Sequence, residues 1–257
     1  MILVLCGDGD PSAVWAARGL RLLGAEAVVV TAAELVCALR VVHTVDDGGT
    51  RLQLDLPLGR SWTGRDGPRP VRGILNRLAD IPVPTMPGLP AEDRAYAREE
   101  LRALTTSWLS SLAAEGVAFI GKPHPAGFAG EWRYPTEWAA LASAAGLGTR
   151  PFALTPDRPS PAVESDDLGA GAGSGGSAVV LCGQVFGTAP PERARQLALL
   201  ASLADADTLG VQFDVLGRIS QIGLLPDLRV AGAAGLTVLT GALSGLPVGS
   251  RSGRAAP

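Results

Sequence analysis

The sequence predicts an α/β protein in which an N-terminal open parallel sheet is followed by a small C-terminal α+β unit. Two observations favour this class. Short apolar runs alternate with helical segments at the start of the chain, and strand and helix patterns resume after a long glycine-rich stretch. The chain has 257 residues, of which 47% are hydrophobic. A chain of this length and composition can bury a sizeable core without disulfides or metals.

The opening of the chain follows a strand–helix–strand–helix order. Residues 1–6 are a continuous apolar run that predicts a buried strand, and Asp10, followed by a proline, marks the start of a helix. Residues 26–31 predict a second strand, and Thr31 with Glu34 has the capping-box pattern that precedes a helix. This order is typical of a parallel, doubly wound unit.

The middle of the chain contains the strongest helix signal. Over residues 91–114, Leu101, Leu104, Trp108 and Leu112 recur at the spacing of one helical face. The other predicted elements are a hairpin at 41–45 and 51–56, loops at 59–70 and 79–90, strands at 71–76 and 117–120, and a helix from Pro135 to Gly146.

Composition divides the chain. We predict an N-terminal domain at 1–154, a flexible linker at 155–177, a C-terminal unit at 178–246 and a disordered tail at 247–257. The linker is predicted because glycine, serine and aspartate there leave almost nothing to bury. In the C-terminal unit the pattern predicts strands at 178–182, 184–187, 209–215 and 218–222 and helices at 191–203 and 233–243.

Charge and composition exclude several classes of function. The net charge of −3 argues against broad electrostatic binding of nucleic acid or membrane. Lys122 is the only lysine among 22 basic residues, so chemistry that needs two lysines is excluded. The separation of His43 from His124 and the absence of a CxxC pair argue against a zinc site. With no signal peptide and no long apolar run, we expect a soluble, cytoplasmic protein.

Two segments have alternative interpretations. The stretch Gly7-Asp8-Gly9-Asp10 is either a strand-to-helix turn with a helix cap or a phosphate site, and the missing third glycine favours the turn. Arg94, Arg98 and Arg102 stand four residues apart on the long helix. They form either an anion-binding stripe or a solvated face on which neighbouring glutamates reduce the repulsion between the arginines.

The segment GKPHPAGFAGEWRYP gathers Lys122, His124, Trp132 and Arg133 after a predicted strand. Loops at the carboxyl ends of strands in open α/β sheets are where ligands bind. The alternative is a rigid connector with Trp132 packed on the core. Arg77, which ends another strand, completes the predicted site.

The element order and several segments resemble the amino-acid ligase branch of the ATP-grasp superfamily. DPSAVWAARGLRLLGAEAVVV resembles the βαβ unit of the domain that precedes the grasp, and VRGILNRL resembles its later strand. VVLCGQVFG resembles a strand–turn–strand near the end of the grasp, and LGVQFDVLGRISQIGLLPDLR resembles the strand pair that carries its metal-binding acids. The resemblance implies a site in which the arginine of VRGILNRL faces a substrate.

Departures from the family pattern are as informative as the matches. The resemblance implies phosphate-binding lysines, a glycine-rich lid and a Glu-x-Asn metal motif. Here the chain passes from Pro151 through the linker directly to Ala178, so the lysine-bearing strands and the lid have no counterpart. The stretch 221–227, where the metal motif is expected, reads QIGLLPD and contains no Glu-x-Asn. A magnesium ion bound to phosphates needs hard carboxylate oxygens, for which Asp214 and Asp227 are the only nearby candidates. Asp227 has two other possible roles: it pairs with Arg229 or caps the final helix.

The resemblance therefore leads to a first hypothesis of a degenerate, non-catalytic accessory subunit with no bound cofactor. Its partner would be a peptide, a protein or a complete ATP-grasp enzyme. The second hypothesis is an active carboxylate–amine ligase that uses ATP and magnesium in a shortened site. A third is a Rossmann-like small-molecule binder. In all of them we expect any ligand to present an anionic group, such as a peptide carboxylate, to an exposed Arg77 together with Lys122, Trp132 and Arg133.

Overall fold

The computed structural model describes residues 1–38, 40–46, 49–57, 60–63, 70–83, 90–150 and 175–244. Most of the predicted linker and all of the predicted tail lie outside the described residues. Within them, three sheets organise the chain: a four-stranded parallel sheet, a four-stranded antiparallel sheet and a three-stranded antiparallel sheet. The predicted fold class, an open parallel sheet followed by a small α+β unit, is confirmed.

The parallel sheet has the strand order β2-β1-β6-β7. Its strands are β1 (Ile2–Cys6), β2 (Ala27–Thr31), β6 (Gly73–Arg77) and β7 (Ala118–Ile120). The register pairs Cys6 with both Thr31 and Arg77, so these strands end at the same edge of the sheet. That edge is where ligands bind in open α/β sheets.

Side chains of β1 alternate between two cores, as the two-residue period of a strand requires. Leu3 and Leu5 face one core, in which they meet α3 (Ala91–Ala114) and the three-stranded sheet. Ile2 and Val4 face the other core with α1 (Pro11–Leu22) and α6 (Gly232–Leu243). The first and last helices of the described residues therefore cover the same face of the parallel sheet.

The three-stranded sheet consists of β3 (Arg40–Asp46), β4 (Gly49–Leu56) and β5 (Arg60–Thr63). The predicted hairpin is confirmed as the antiparallel pair β3–β4. The prediction of a loop over 59–70 is wrong at its start, because β5 lies there and pairs with β4. Trp62 explains the error: it is buried against the first core, and that burial outweighs the flanking glycine and arginine residues.

The antiparallel sheet has the order β11-β10-β8-β9. Its strands are β8 (Gly176–Leu181), β9 (Gln184–Gly187), β10 (Thr208–Phe213) and β11 (Ile219–Gly223). Helices α4 (Pro135–Ala144) and α5 (Pro191–Leu203) cover one face through a third core. The short helix α2 (Ala32–Val36) follows β2, and a 3-10 turn, Leu228–Ala231, precedes α6.

Helix α3 has the predicted bounds, but its buried face differs from the prediction in one position. Trp108, Leu109 and Leu112 are buried, whereas Leu104 remains 40% exposed. In the described part of the chain, no helix has both the length and the apolarity needed to cross a membrane.

Candidate functional site

Arg77 ends β6 at the carboxyl edge of the parallel sheet, but its side chain is only 7% exposed. Its Nε donates to Asp10 Oδ2 at 2.7 Å, and its Nη1 donates to the Pro226 carbonyl at 2.9 Å. The expectation of an exposed Arg77 is wrong, because a partly buried carboxylate and a backbone carbonyl take its donors. Arg77 thereby joins the start of α1 to the chain ahead of the final helix.

Asp10 has a second role as the cap of α1. Its Oδ1 accepts hydrogen bonds from the backbone amides of Ser12 at 2.9 Å and Ala13 at 3.1 Å. The interpretation of Gly7-Asp8-Gly9-Asp10 as a turn with a helix cap is confirmed. One carboxylate therefore stabilises the helix terminus and the Arg77 guanidinium together, a role that the sequence pattern did not reveal.

Lys122 follows β7 at the same edge of the sheet and is exposed. The residue before it, Gly121, donates its amide to Asp207 Oδ2 at 3.2 Å. Burial raises the pKa of Asp207, although the amides of Gly121 and Lys122 and the charge of Lys122 oppose that shift. The loop that carries Lys122 is thus fixed to the antiparallel sheet at the start of β10.

Asn76 fixes the same loop from the parallel sheet. It is 2% exposed, and its Nδ2 donates to the carbonyls of Gly121 at 3.0 Å and Phe128 at 2.6 Å. Its Oδ1 accepts from the amide of Leu78 at 3.2 Å. The signal that sequence reasoning missed is a polar side chain at the end of an otherwise apolar strand. A buried amide requires partners of this kind.

The aromatic part of the loop is open to solvent. Trp132 is 56% exposed and Tyr134 is 61% exposed, and their ring centroids are 4.6 Å apart in an edge-to-face arrangement. The alternative in which Trp132 packs on the core is therefore wrong. Tyr134 was not among the predicted site residues, although exposed aromatic pairs of this kind are common at binding surfaces.

Arg133 is paired within its own loop. Its Nη2 forms an ion pair with Glu131 and lies 3.5 Å from the carbonyl of Ala204. The four predicted site residues thus separate into two groups. Arg77 and Arg133 already have acidic partners, whereas Lys122 and Trp132 present exposed side chains. Among the described residues, no hydrogen bond or ring contact joins any two of the four.

The two candidate metal-binding acids also have partners. Asp227 accepts hydrogen bonds from Arg229 Nε at 2.8 Å and Nη2 at 2.7 Å, and from the buried hydroxyl of Ser12 at 3.0 Å. The bonds from Arg229 contribute most to lowering the pKa of Asp227 to about 2. Of the two roles left open, pairing with Arg229 is confirmed, and Asp227 caps the 3-10 turn rather than α6.

Asp214 lies at the turn between β10 and β11. Its Oδ2 accepts from Arg218 Nε at 2.9 Å, and its Oδ1 accepts from the amides of Leu216 and Arg218. The backbone amide of Arg218 contributes most to lowering the pKa of this carboxyl. Within the described ranges, no three His, Cys, Asp or Glu side chains are grouped closely enough to hold a metal ion.

A cavity of about 310 Å³ lies on the face of the antiparallel sheet opposite α5. Paired residues of β10 and β11 line it: Gly210 opposite Gly223, and Gln212 opposite Gln221. No atom lies within 4 Å of the position that a Cβ on Gly223 would occupy. Asp227 is the one charged residue that lines the cavity within the described ranges, and Arg229 neutralises it. The geometry suits a neutral ligand better than an anion or a metal ion.

No protein-family model matches the sequence, and no curated protein matches it. Solved structures do match. The macrocyclase MdnC from Microcystis aeruginosa MRC, bound with precursor peptide MdnA, superposes with a TM-score of 0.69 at 10% identity, over 95% of this chain and 99% of that chain. MdnB from the same organism gives 0.63 at 14% identity, over 95% and 98%.

A third similar structure is the ATP-grasp ligase PsnB in complex with a phosphomimetic variant of its minimal precursor, Mg and ADP. It superposes with a TM-score of 0.60 at 15% identity, over 93% of this chain and 98% of that chain. Identities this low establish the fold alone. The chain therefore has an ATP-grasp ligase fold, as the sequence resemblance implied.

Proposed function

We propose that this chain is a non-catalytic, peptide-binding accessory subunit of a peptide or amino-acid ligase system. The observation that carries the proposal is the uncharged sheet face built by Gly210, Gln212, Gln221 and Gly223. This face belongs to the strand pair that resembles the metal-binding strands of ATP-grasp ligases. An active site there would need carboxylates to hold magnesium against phosphates.

The nearest acids are poor substitutes for such ligands. Asp214 and Asp227 each accept hydrogen bonds from a neighbouring arginine, so a metal ion would have to displace a charged partner. Lys122 is the only lysine of the chain, and its loop is fixed to Asp207 and Asn76. PsnB has been crystallised with Mg and ADP. On this chain the matching strand pair presents neutral Gln212 and Gln221, and the nearby Asp214 and Asp227 are paired with arginines.

The peptide-binding part of the proposal rests on different observations. MdnC was crystallised with a precursor peptide and PsnB with a variant of its minimal precursor. The exposed Trp132–Tyr134 pair and the exposed Lys122 of the same loop offer an aromatic contact and a cation for a peptide carboxylate. Arg133 is held within this loop by its ion pair with Glu131, whereas Arg77 is paired with Asp10 at the start of α1.

Isothermal titration of the protein with ATP in excess magnesium tests the proposal. We expect no measurable heat of binding at nucleotide concentrations that saturate a complete ATP-grasp ligase. A dissociation constant in the low micromolar range would instead support an active carboxylate–amine ligase with a shortened nucleotide site.

A parallel pull-down with the immobilised chain is expected to recover a peptide or a ligase partner. Lys122→Ala and Trp132→Ala are expected to weaken that capture while leaving the melting temperature unchanged.

A further inference from the structure

The outward side of α1 forms a groove with α6. The groove has a volume of about 460 Å³, which is in the range of protein binding sites. Its residues on α1 are spaced by three and four positions and so form one helical stripe: Pro11, Val14, Trp15, Arg18, Gly19 and Leu22. The opposite stripe, with Ala13, Ala16 and Leu20, is buried on the parallel sheet. Helix α1 therefore has two apolar sides, one packed on the sheet and one facing the groove.

The surface of the groove is apolar and open. Leu22 is 88% exposed and Val14 is 41% exposed, and Trp15 adds aromatic surface between them. Leu236 of α6 forms the floor, because Gly19 has no side chain: a Cβ there would lie 2.3 Å from Leu236 Cδ2. Contiguous exposed apolar surface of this kind marks interaction sites on proteins.

The charges at the groove are positive. Arg18 is exposed in the middle of the stripe, and no ion pair among the described residues includes it. Arg229, the other charged residue that lines the groove, is paired with Asp227. Residues 11–22 and 228–243, which form both helices and the 3-10 turn, contain three arginines and no acidic residue. An incoming carboxylate would therefore pair with Arg18 without displacing a partner.

The shape and charge together favour a helix with an acidic side as the occupant. From Pro11 to Leu22 the stripe advances by about 16 Å at 1.5 Å per residue, which matches about three turns of another helix. A groove between two packed helices accepts the ridge of side chains that a third helix presents. A second copy of this chain is disfavoured, because a two-fold contact would bring Arg18 of each copy to a groove that is lined by arginines and no acid.

We propose that the groove between α1 and α6 docks an amphipathic helix of a partner protein. Apolar side chains of that helix pack against Val14 and Leu22, and a glutamate or aspartate pairs with Arg18. The inference rests on the accessory-subunit part of the proposed function and gives the subunit a surface for its partner. That surface shares no lining residue with the loop that carries Lys122 and Trp132.

The test uses two fluorescein-labelled helical peptides of about 14 residues, or four turns, as probes. Both have leucines on one face at a spacing of three and four residues, and the flanking positions are glutamate in one peptide and lysine in the other. Binding to the full chain is read by fluorescence polarisation. The variants are Arg18→Glu and Leu22→Asp. Arg195→Glu and Leu199→Asp on α5 are matched controls, because both positions are exposed.

We expect the parent to bind the glutamate peptide on the order of tenfold more tightly than the lysine peptide. Arg18→Glu is expected to reverse that preference, and Leu22→Asp is expected to weaken the binding of both peptides. The α5 variants are expected to bind like the parent. Failure of the parent to bind the glutamate peptide would overturn the proposal, as would a preference that Arg18→Glu leaves unchanged.

Two further measurements address other occupants. Co-sedimentation of the parent with phosphatidylserine–phosphatidylcholine vesicles, if Arg18→Glu abolished it, would assign the groove to a membrane surface and overturn the proposal. A parent dimer in sedimentation velocity that Leu22→Asp converts to a monomer would also overturn it. The magnesium–ATP titration and the Lys122 and Trp132 variants do not involve this groove, so they judge the proposed function separately.

Discussion

The guanidinium of Arg77 connects three parts of the chain, because it donates to the cap of α1 and to the Pro226 carbonyl from the end of β6. The Arg77 and Asp10 side chains are 7% and 16% exposed. Removing the guanidinium leaves the partly buried Asp10 carboxylate without its charged partner and the Pro226 carbonyl without its donor. Arg77, which by resemblance was expected to face a substrate, instead holds the start of α1 and the segment before the final helix against the end of β6.

We therefore predict that Arg77→Ala lowers the free energy of unfolding by about 3–5 kcal/mol. Urea denaturation followed by circular dichroism measures the change. Arg195→Ala, at an exposed position of α5, is the control and is expected to stay within about 0.5 kcal/mol of the parent. A loss below about 1 kcal/mol for Arg77→Ala would show that the ion pair contributes little beyond its own desolvation cost.

Asp207 gives a pH-dependent prediction. Burial raises the pKa of its carboxyl in the folded protein above the ordinary value of 3.8 that the unfolded chain retains. As pH rises above 3.8 the unfolded chain loses this proton first, so the contribution of Asp207 to stability falls until the folded carboxyl also ionises. Asp207→Asn removes this loss, and its amide oxygen can still accept from the Gly121 amide.

The stability advantage of Asp207→Asn over the parent is thus expected to grow as pH rises above the ordinary value of 3.8 and to level off once the folded carboxyl has ionised. Melting temperatures across this range measure it. Asp205→Asn makes the same charge change two residues away at an exposed position. Its difference in melting temperature from the parent is expected to change less with pH than that of Asp207→Asn. If Asp207→Asn is less stable than the parent at neutral pH, the hydrogen bonds to the ionised carboxylate outweigh its burial.

At the scale of elements, local signals predicted most of the secondary structure. The cap at Asp10, the capping box at Thr31 and Glu34, and the bounds of α3 are all present. Errors arose where tertiary packing outweighed local pattern: Trp62 creates a strand within a loop-like segment, and Leu104 leaves the buried face of its helix.

The candidate site was less predictable for a related physical reason. The sequence placed Arg77 and Lys122 at the ends of strands, and the register of β6 and β7 puts them at one edge. Nothing in the local pattern revealed that Asp10, distant in sequence, would neutralise Arg77. Partners that come together only through the sheet register are invisible to spacing arguments, whereas the pair of Asp227 with Arg229 was visible because it is local.

The packing of α6 on β6 gives an element-scale prediction. A Cβ on Gly73 would lie 2.3 Å from the backbone carbonyl oxygen of Leu243, so the two elements approach too closely for any side chain. We expect Gly73→Ala to cost about 1–3 kcal/mol of unfolding free energy by forcing the backbones apart. Gly7→Ala, where no atom lies within 4 Å of the added carbon, is expected to be nearly neutral. Equal effects of the two variants in urea denaturation would contradict this account.

On the scale of the whole molecule, one apolar core joins residues from both ends of the chain. Ile2, Val4 and Leu20 belong to the same buried cluster as Leu181 and Leu239. The predicted N-terminal domain and C-terminal unit thus share a core, and each supplies surface that the other buries. The predicted boundary between them at 155–177 remains a prediction from composition.

Because the core is shared, we predict that a cut in the predicted linker leaves the two fragments associated. Residues 155–177 contain little apolar surface to offset the ordering entropy of about 1–2 kcal/mol per residue, and Glu164 is their only glutamate. Limited digestion with a glutamate-specific protease is expected to cut first after Glu164. The fragments are expected to co-elute in size-exclusion chromatography and to separate in urea.

Glu164→Gln is the control and is expected to remain whole over the same period. First cleavage at another glutamate would contradict the predicted linker, and separate elution without denaturant would show that the shared core is too weak to hold the two parts together.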